Sequence, residues 1–114
     1  MKAFLKVMKA LSDPNRVKIV KMLQHKTMCV CELHAALKIT QPSVSKHLKI
    51  LENAHLVDYQ KDGLWVNYHL TDGSSNPYVA SLLGNLRHWL EDKPEIDEIV
   101  RKLPEIKREE ICKK

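Results

Sequence analysis

Two cysteines separated by one residue, Cys29-Val30-Cys31, are the side chains of this chain best suited to chemistry, and a third, Cys112, lies near its end. Thiolates are soft donors that suit thiophilic ions. The spacing has a mechanical consequence. In a regular helix residues i and i+2 lie about 200° apart and cannot face one ion, whereas in extended backbone they share a side. Chelation with bonds of roughly the 2.3 Å of zinc–thiolate should therefore hold the first turn of a following helix in a non-helical form. Helical periodicity begins just after the pair, with Leu33, Ala36 and Leu37 as its apolar face. A helix N-terminus should favour thiolate over thiol through its dipole and free N–H groups. The bland alternative is that two small cysteines fill a helix–strand junction.

A second group of functional side chains needs the next helix. Thr40 can cap it, Pro42 fits its first turn, and Val44, Leu48 and Leu51 form an inward stripe, which predicts a helix over 41–54. The opposite face then carries Gln41, Pro42, Ser45, Lys46 and Lys49, with Ser43 beside them. Gln can read adenine bidentately, Lys can reach guanine acceptors or phosphate, and Ser can make a backbone contact. A short helix over 31–38, the tight connection Ile39-Thr40 and this longer helix form a helix-turn-helix unit, whose second helix lies in a major groove. The period then changes: 56–60 and 64–70 are rich in β-branched and aromatic residues, and Lys61-Asp62-Gly63 supplies a turn, predicting a β-hairpin. Lys61 at its tip is placed to reach the neighbouring minor groove or its phosphates. The helix face alone would be ordinary solvated surface; a basic hairpin directly after it makes double-stranded DNA the better reading.

The remaining elements hold these two groups. Helices are predicted over 2–11, over 14–25 with Ser12 or Asp13 as cap, and over 77–92, with a weaker helical segment between Pro94 and Pro104. In the second helix Val17, Ile19, Val20, Met22 and Leu23 face inward, with Arg16, Lys18 and Lys21 outside. The fold class is mainly α with a β-hairpin wing (α+β), residues 1–92 forming one domain and 93–114 a weakly helical, flexible tail. The 114 residues, 44% of them apolar, suffice for one self-sufficient core. Residues 1–90 hold 12 Lys+Arg against 6 Asp+Glu, and 91–114 hold 7 against 8. The basic excess thus belongs to the folded part, as polyanion binding requires. No apolar run approaches the roughly 18–20 residues of a bilayer span, and Lys6 and Lys9 interrupt any signal-peptide core. A cytoplasmic protein without a membrane partner is expected, and an odd cysteine count there reads as thiol or metal chemistry. Phe4, Met8, Tyr78, Leu82, Leu86 and Trp89 exceed what a small core needs and predict a homodimer.

Leu11-Ser12-Asp13-Pro14-Asn15-Arg16, Cys29-Val30-Cys31-Glu32-Leu33, Gln41-Pro42-Ser43-Val44-Ser45-Lys46-His47-Leu48 and the Lys61-Asp62-Gly63 wing occur in an order that resembles the ArsR/SmtB family of bacterial winged-helix metalloregulators. The resemblance covers about residues 3–92. It implies a dimeric winged helix-turn-helix repressor of a metal-resistance operon that leaves operator DNA when its effector binds. The Cys-Val-Cys-Glu-Leu run is similar to the inducer site of the arsenite-responsive branch, with As(III) or Sb(III) as inducer and no catalytic cofactor. That branch often carries a third cysteine where His34 stands. Cys112 is then a candidate third ligand, by folding back or by crossing a dimer; two protein sulfurs plus a solvent or small-thiol ligand is the default.

Other readings weigh less. His34 is a poor arsenic ligand and reads as a surface or supporting residue. Asp72 with His88 and Glu91, at i and i+3 of the helix predicted over 77–92, resembles part of the zinc-sensing branch's site, but Ser74 stands where a histidine is expected. Cadmium or lead sensing would use the same cysteine pair, yet residues 1–28 lack further cysteines. His47 reads as half-buried structure, and Trp65 and Tyr68 as packing. An enzyme with a cysteine nucleophile would need an oxyanion cradle with a nearby Arg, and residues 27–38 contain neither Gly nor Arg. A thiol redox-sensing repressor remains as a rival, weakened by the strain of an i,i+2 disulfide.

Overall fold

A computed structural model describes residues 1–107, so Cys112 lies outside the described residues. The elements run α1 (Lys2–Ala10), α2 (Pro14–Leu23), β1 (Met28–Cys29), α3 (Val30–Leu37), α4 (Gln41–Asn53), β2 (Val57–Asp62), β3 (Trp65–Leu70), α5 (Pro77–Leu86) and α6 (Pro94–Arg101), then a 3-10 turn Leu103–Glu105. Local chemistry sets the helix starts. Asp13 accepts from the N–H groups of Asn15 and Arg16 at 2.8 and 3.2 Å, Thr40 from Ser43 N at 3.3 Å, and Asn76 from Tyr78 N and Val79 N at 2.9 and 3.3 Å, each with proline in the first turn. Val7 and Ala10, Ile19 and Met22, Leu33, the Val44, Leu48 and Leu51 stripe, Leu56 and Val79 close into one buried cluster.

The wing is a three-stranded antiparallel sheet of order β1-β3-β2, a strand more than the predicted hairpin. Met28 faces Tyr68 and Cys29 faces Asn67, so β3 carries the cysteine segment on its second edge. The turn is tighter than predicted. Asp62 pairs with Trp65 and Lys61 with Val66, leaving a two-residue tip, Gly63-Leu64. Gly63 has φ 63°, the left-handed first position of a II′ turn that matches strand twist. Lys61 thus lies on β2, just below the tip.

The helix predicted over 77–92 ends at Leu86. The cause is Lys21, expected outside the core but wholly buried. Its ammonium donates to Leu86 O at 2.6 Å and Trp89 O at 3.0 Å and pairs with Glu91 Oε1 at 2.6 Å. These bonds cap the helix end from another element, and Leu90 then turns left-handed at φ 68° ahead of Pro94. Leu86, expected in the apolar surface patch, is 6% exposed and belongs to the core.

The segment expected as a tail packs on the domain as far as Ile106. Ile96 and Leu103 are buried, Ile106 packs against the core, and Lys26 Nζ donates to Leu103 O at 3.4 Å and Ile106 O at 2.9 Å. No described helix is long and apolar enough to cross a membrane.

Candidate functional site

Cys29 ends β1 in extended conformation (φ −93°, ψ 172°) and serves as N-cap of α3, where it is 2% exposed. It forms a capping box with Glu32: Cys29 N donates to Glu32 Oε1 at 3.0 Å, and the sulfur faces the Glu32 N–H. Cys31 sits half-buried in the first helical turn, close enough for a thiol–thiol hydrogen bond with Cys29. The pair thus straddles the change from extended to helical backbone, which lets residues i and i+2 come together.

The expectation that the helix N-terminus favours thiolate is overturned. Burial pushes the Cys29 thiol up, offset only in part by the Glu32 N–H, and the Glu32 carboxylate adds to the rise. Cys31 is pushed up as well, by burial first and then by Cys29 and Glu32. Glu32 is a buried carboxylate whose second oxygen lies 3.8 Å from Lys26 Nζ. Desolvation and a buried anion outweigh the dipole of an eight-residue helix.

The pair touches the next helix. Gln41 Nε2, at the start of α4, approaches Cys31 Sγ at 3.9 Å. His34 hydrogen-bonds to Ile39 O across the α3–α4 connection, where Lys38 is left-handed at φ 58°. The imidazole therefore braces the helix-turn-helix corner. Among the described residues, no three His, Cys, Asp or Glu side chains come together as a metal site.

On α4 the side chains of Gln41, Ser45, Lys46 and Lys49 are exposed on the face opposite the buried stripe. Lys49 also lies 3.5 Å from Glu52. Ser43 differs: it is half-buried and its hydroxyl accepts from Thr40 Oγ1 at 3.0 Å, so it serves the cap. Lys61 is exposed on the wing. His47 turns inward, 3.2 Å from Arg16 Nη1, while Arg16 Nε donates to Ala10 O at 2.7 Å, tying α4 to the end of α1. Tyr68 packs on Tyr59 with ring centroids 5.7 Å apart.

The Asp72, His88 and Glu91 grouping loses its premise. His88 and Glu91 lie beyond the end of α5, and Glu91 is taken by Lys21, which holds its carboxyl below the usual range. Asp72 accepts from Ser74 N at 2.9 Å, and that bond lowers its pKa. Elsewhere Phe4 and Tyr78 meet edge to face at 5.3 Å yet stay 38% and 41% exposed; Leu5 and Trp89 are also exposed, and Met8 and Leu82 are half-buried. Lys21, Lys26, Glu32 and Arg16 were missed as organising residues. For Glu32 the signal was present, since Glu three residues after a cap is the capping-box pattern.

Residues 13–59 match the model of the bacterial regulatory protein, arsR family. The arsenical resistance operon repressor of Escherichia coli K12 is 31% identical over 102 residues, 87% of this chain and 83% of that protein. A transcriptional repressor SmtB homolog of Synechocystis is 41% identical over 63 residues, 55% of this chain and 48% of that protein. Among solved structures, HlyU from Vibrio cholerae superposes with TM-score 0.66 at 26% identity, covering 78% of this chain and 92% of HlyU. The chain belongs to the arsR family of bacterial regulatory proteins, and its fold is the winged helix-turn-helix. It is a transcriptional regulator, not an enzyme.

Proposed function

We propose that this protein is a cytoplasmic homodimeric repressor of an arsenic-resistance operon that leaves its operator when As(III) or Sb(III) binds Cys29 and Cys31. The observation that carries the reading is the pair of adjacent thiols at the start of α3, Cys29 buried and Cys31 half-buried, in contact with α4 through Gln41. Arsenous acid suits thiols that hold their protons. Each As–S bond formed breaks one As–O bond, and the thiol proton leaves with the hydroxide as water, so no free proton is released. A divalent cation must instead expel each thiol proton into solution, and burial makes that expulsion costly here. The 31% identical Escherichia coli arsenical repressor supports the same choice.

Release follows from geometry at the boundary of α3. Cys29 and Cys31 already come together at this boundary, so ligation takes up the Cys31 sulfur at the expense of its contact with Gln41 and thereby reaches α4. Gln41, Ser45, Lys46 and Lys49 would meet the major groove and Lys61 the backbone beside it. Couplings of this kind are typically ~1–3 kcal/mol, or about 5–150-fold in affinity. Operator titrations with and without arsenite test the reading. Cys29→Ser and Cys31→Ser should each bind operator DNA normally and stay bound when arsenite is added; normal release from either variant would refute it.

A further inference from the structure

We infer that Lys26 is the positioning residue of the cysteine pair, and that the docked segment from Pro94 to Ile106 is what holds Lys26 in place; this rests on the reading above. The backbone of Lys26 is fixed at the end of α2, where its N–H donates to Met22 O at 3.3 Å. Its ammonium donates to Ile106 O at 2.9 Å and Leu103 O at 3.4 Å, and lies 3.8 Å from Glu32 Oε2. Among the described residues Lys26 is the one cation that pairs with Glu32.

Glu32 in turn decides where Cys29 stands. Its other oxygen accepts from Cys29 N at 3.0 Å and closes the capping box that keeps Cys29 extended while Cys31 is already helical. That boundary is what brings residues i and i+2 together. A buried carboxylate holds such a pose only with a charge partner; without one it turns toward water and lets go of the amide. An ammonium on a flexible stem, here 36% exposed, is a poor partner unless other groups order it. The carbonyls of Leu103 and Ile106 supply that order. They are carried by the buried side chains of Ile96 and Leu103, with α6 packed along α2. A continuous series of contacts thus runs from the C-terminal segment through Lys26 and Glu32 to the backbone of the first cysteine. Linkage makes it reciprocal: whatever docking of the segment adds to ligation of the pair, ligation adds to docking.

The test uses the full chain carrying Cys112→Ser as parent, titrated with phenylarsine oxide, which takes two thiols at once. Its As=O bond breaks, two As–S bonds form, and the two thiol protons leave with the oxygen as one water; arsenic stays trivalent. Lys26→Met, which keeps the stem and loses the ammonium, should bind the probe about tenfold more weakly, and Lys26→Arg should restore the affinity. Leu103→Ala, which loosens the segment, should lose a similar factor, and Lys26→Met/Leu103→Ala no more than either alone, since both cut one connection. A lysine that served stability alone would give losses that add. In hydrogen exchange the probe should slow the Ile106 amide, which donates to Leu103 O at 3.0 Å, in the parent and not in Lys26→Met. Unchanged affinity in Lys26→Met, additive losses, or an Ile106 amide indifferent to the probe would overturn the inference while leaving the cysteine pair as sensor. The Ile106 reading in the parent decides by itself even where a variant fails to fold. A parent that does not bind the probe would instead sink the proposed function.

Discussion

At the scale of single residues, the cysteine pair shows how environment sets chemistry. Both thiols are pushed up by burial and by Glu32, so near neutral pH they are protonated before any ligand arrives. Arsenite binding, which consumes those protons as water, should be nearly independent of pH between about 6 and 8. Cadmium binding to the same pair must release them, and its affinity should climb by up to about a hundredfold per pH unit. Calorimetric titrations of both ions across that range check the contrast; a steep rise for arsenite would contradict the thiol assignment. The exposed side chains of α4 and the wing divide by another criterion. Lys46→Ala should cost about 1–3 kcal/mol on operator DNA and relax sequence preference. Lys61→Ala should weaken operator and random DNA alike and lower the salt slope by about one. Equal losses on both DNAs for Lys46→Ala would remove it from the base-reading set.

At the scale of elements, the ends of helices carry most of the information. Thr40 and, of the two candidates Ser12 and Asp13, Asp13 cap their own helices as local sequence suggested, because an N-cap bonds only two or three residues ahead; Asn76 caps α5 in the same way without having been singled out. The end of α5 was not legible, because its cap is an ammonium from α2, 65 positions away from Leu86. Lys21→Ala should strand the carbonyls of Leu86 and Trp89 and leave a void, costing about 3 kcal/mol. Thermal unfolding should show a midpoint more than about 10 °C lower. Lys21→Met, which keeps the volume and loses the bonds, should fall between; a melt unchanged by Lys21→Ala would deny the cap its role.

At the scale of the whole molecule, Ile50, Tyr59 and Leu64 are exposed singly on α4 and the wing, whereas a group of exposed apolar side chains lies on α1 and α5. Phe4 and Leu5 of α1 and Tyr78 of α5 stay partly open to solvent, with Trp89 exposed just beyond α5, and a second copy covering them would place two recognition helices on successive half-sites. Sedimentation at micromolar concentration should give a species of about twice the 13.2 kDa of one chain. Phe4→Ser/Tyr78→Ser should shift it toward the monomer and lower operator affinity. A monomer in the wild type would exclude the symmetric arrangement.

Periodicity, caps and turn residues by themselves determined α1 to α4, the hairpin and the inward stripe of Val44, Leu48 and Leu51. Each of these depends on neighbours within a few positions and on which face must leave water. The ordered motifs also pointed to the family, and the Cys-Val-Cys spacing marked the candidate sensor. Only tertiary structure decided how protonated the thiols are, because desolvation and Glu32 come from packing and not from spacing. The same holds for buried Lys21, for Leu86 in the core, and for β1 joining the wing beside Asn67. A charge can be buried, and a strand of two residues can exist, only when partners distant in sequence complete their hydrogen bonds.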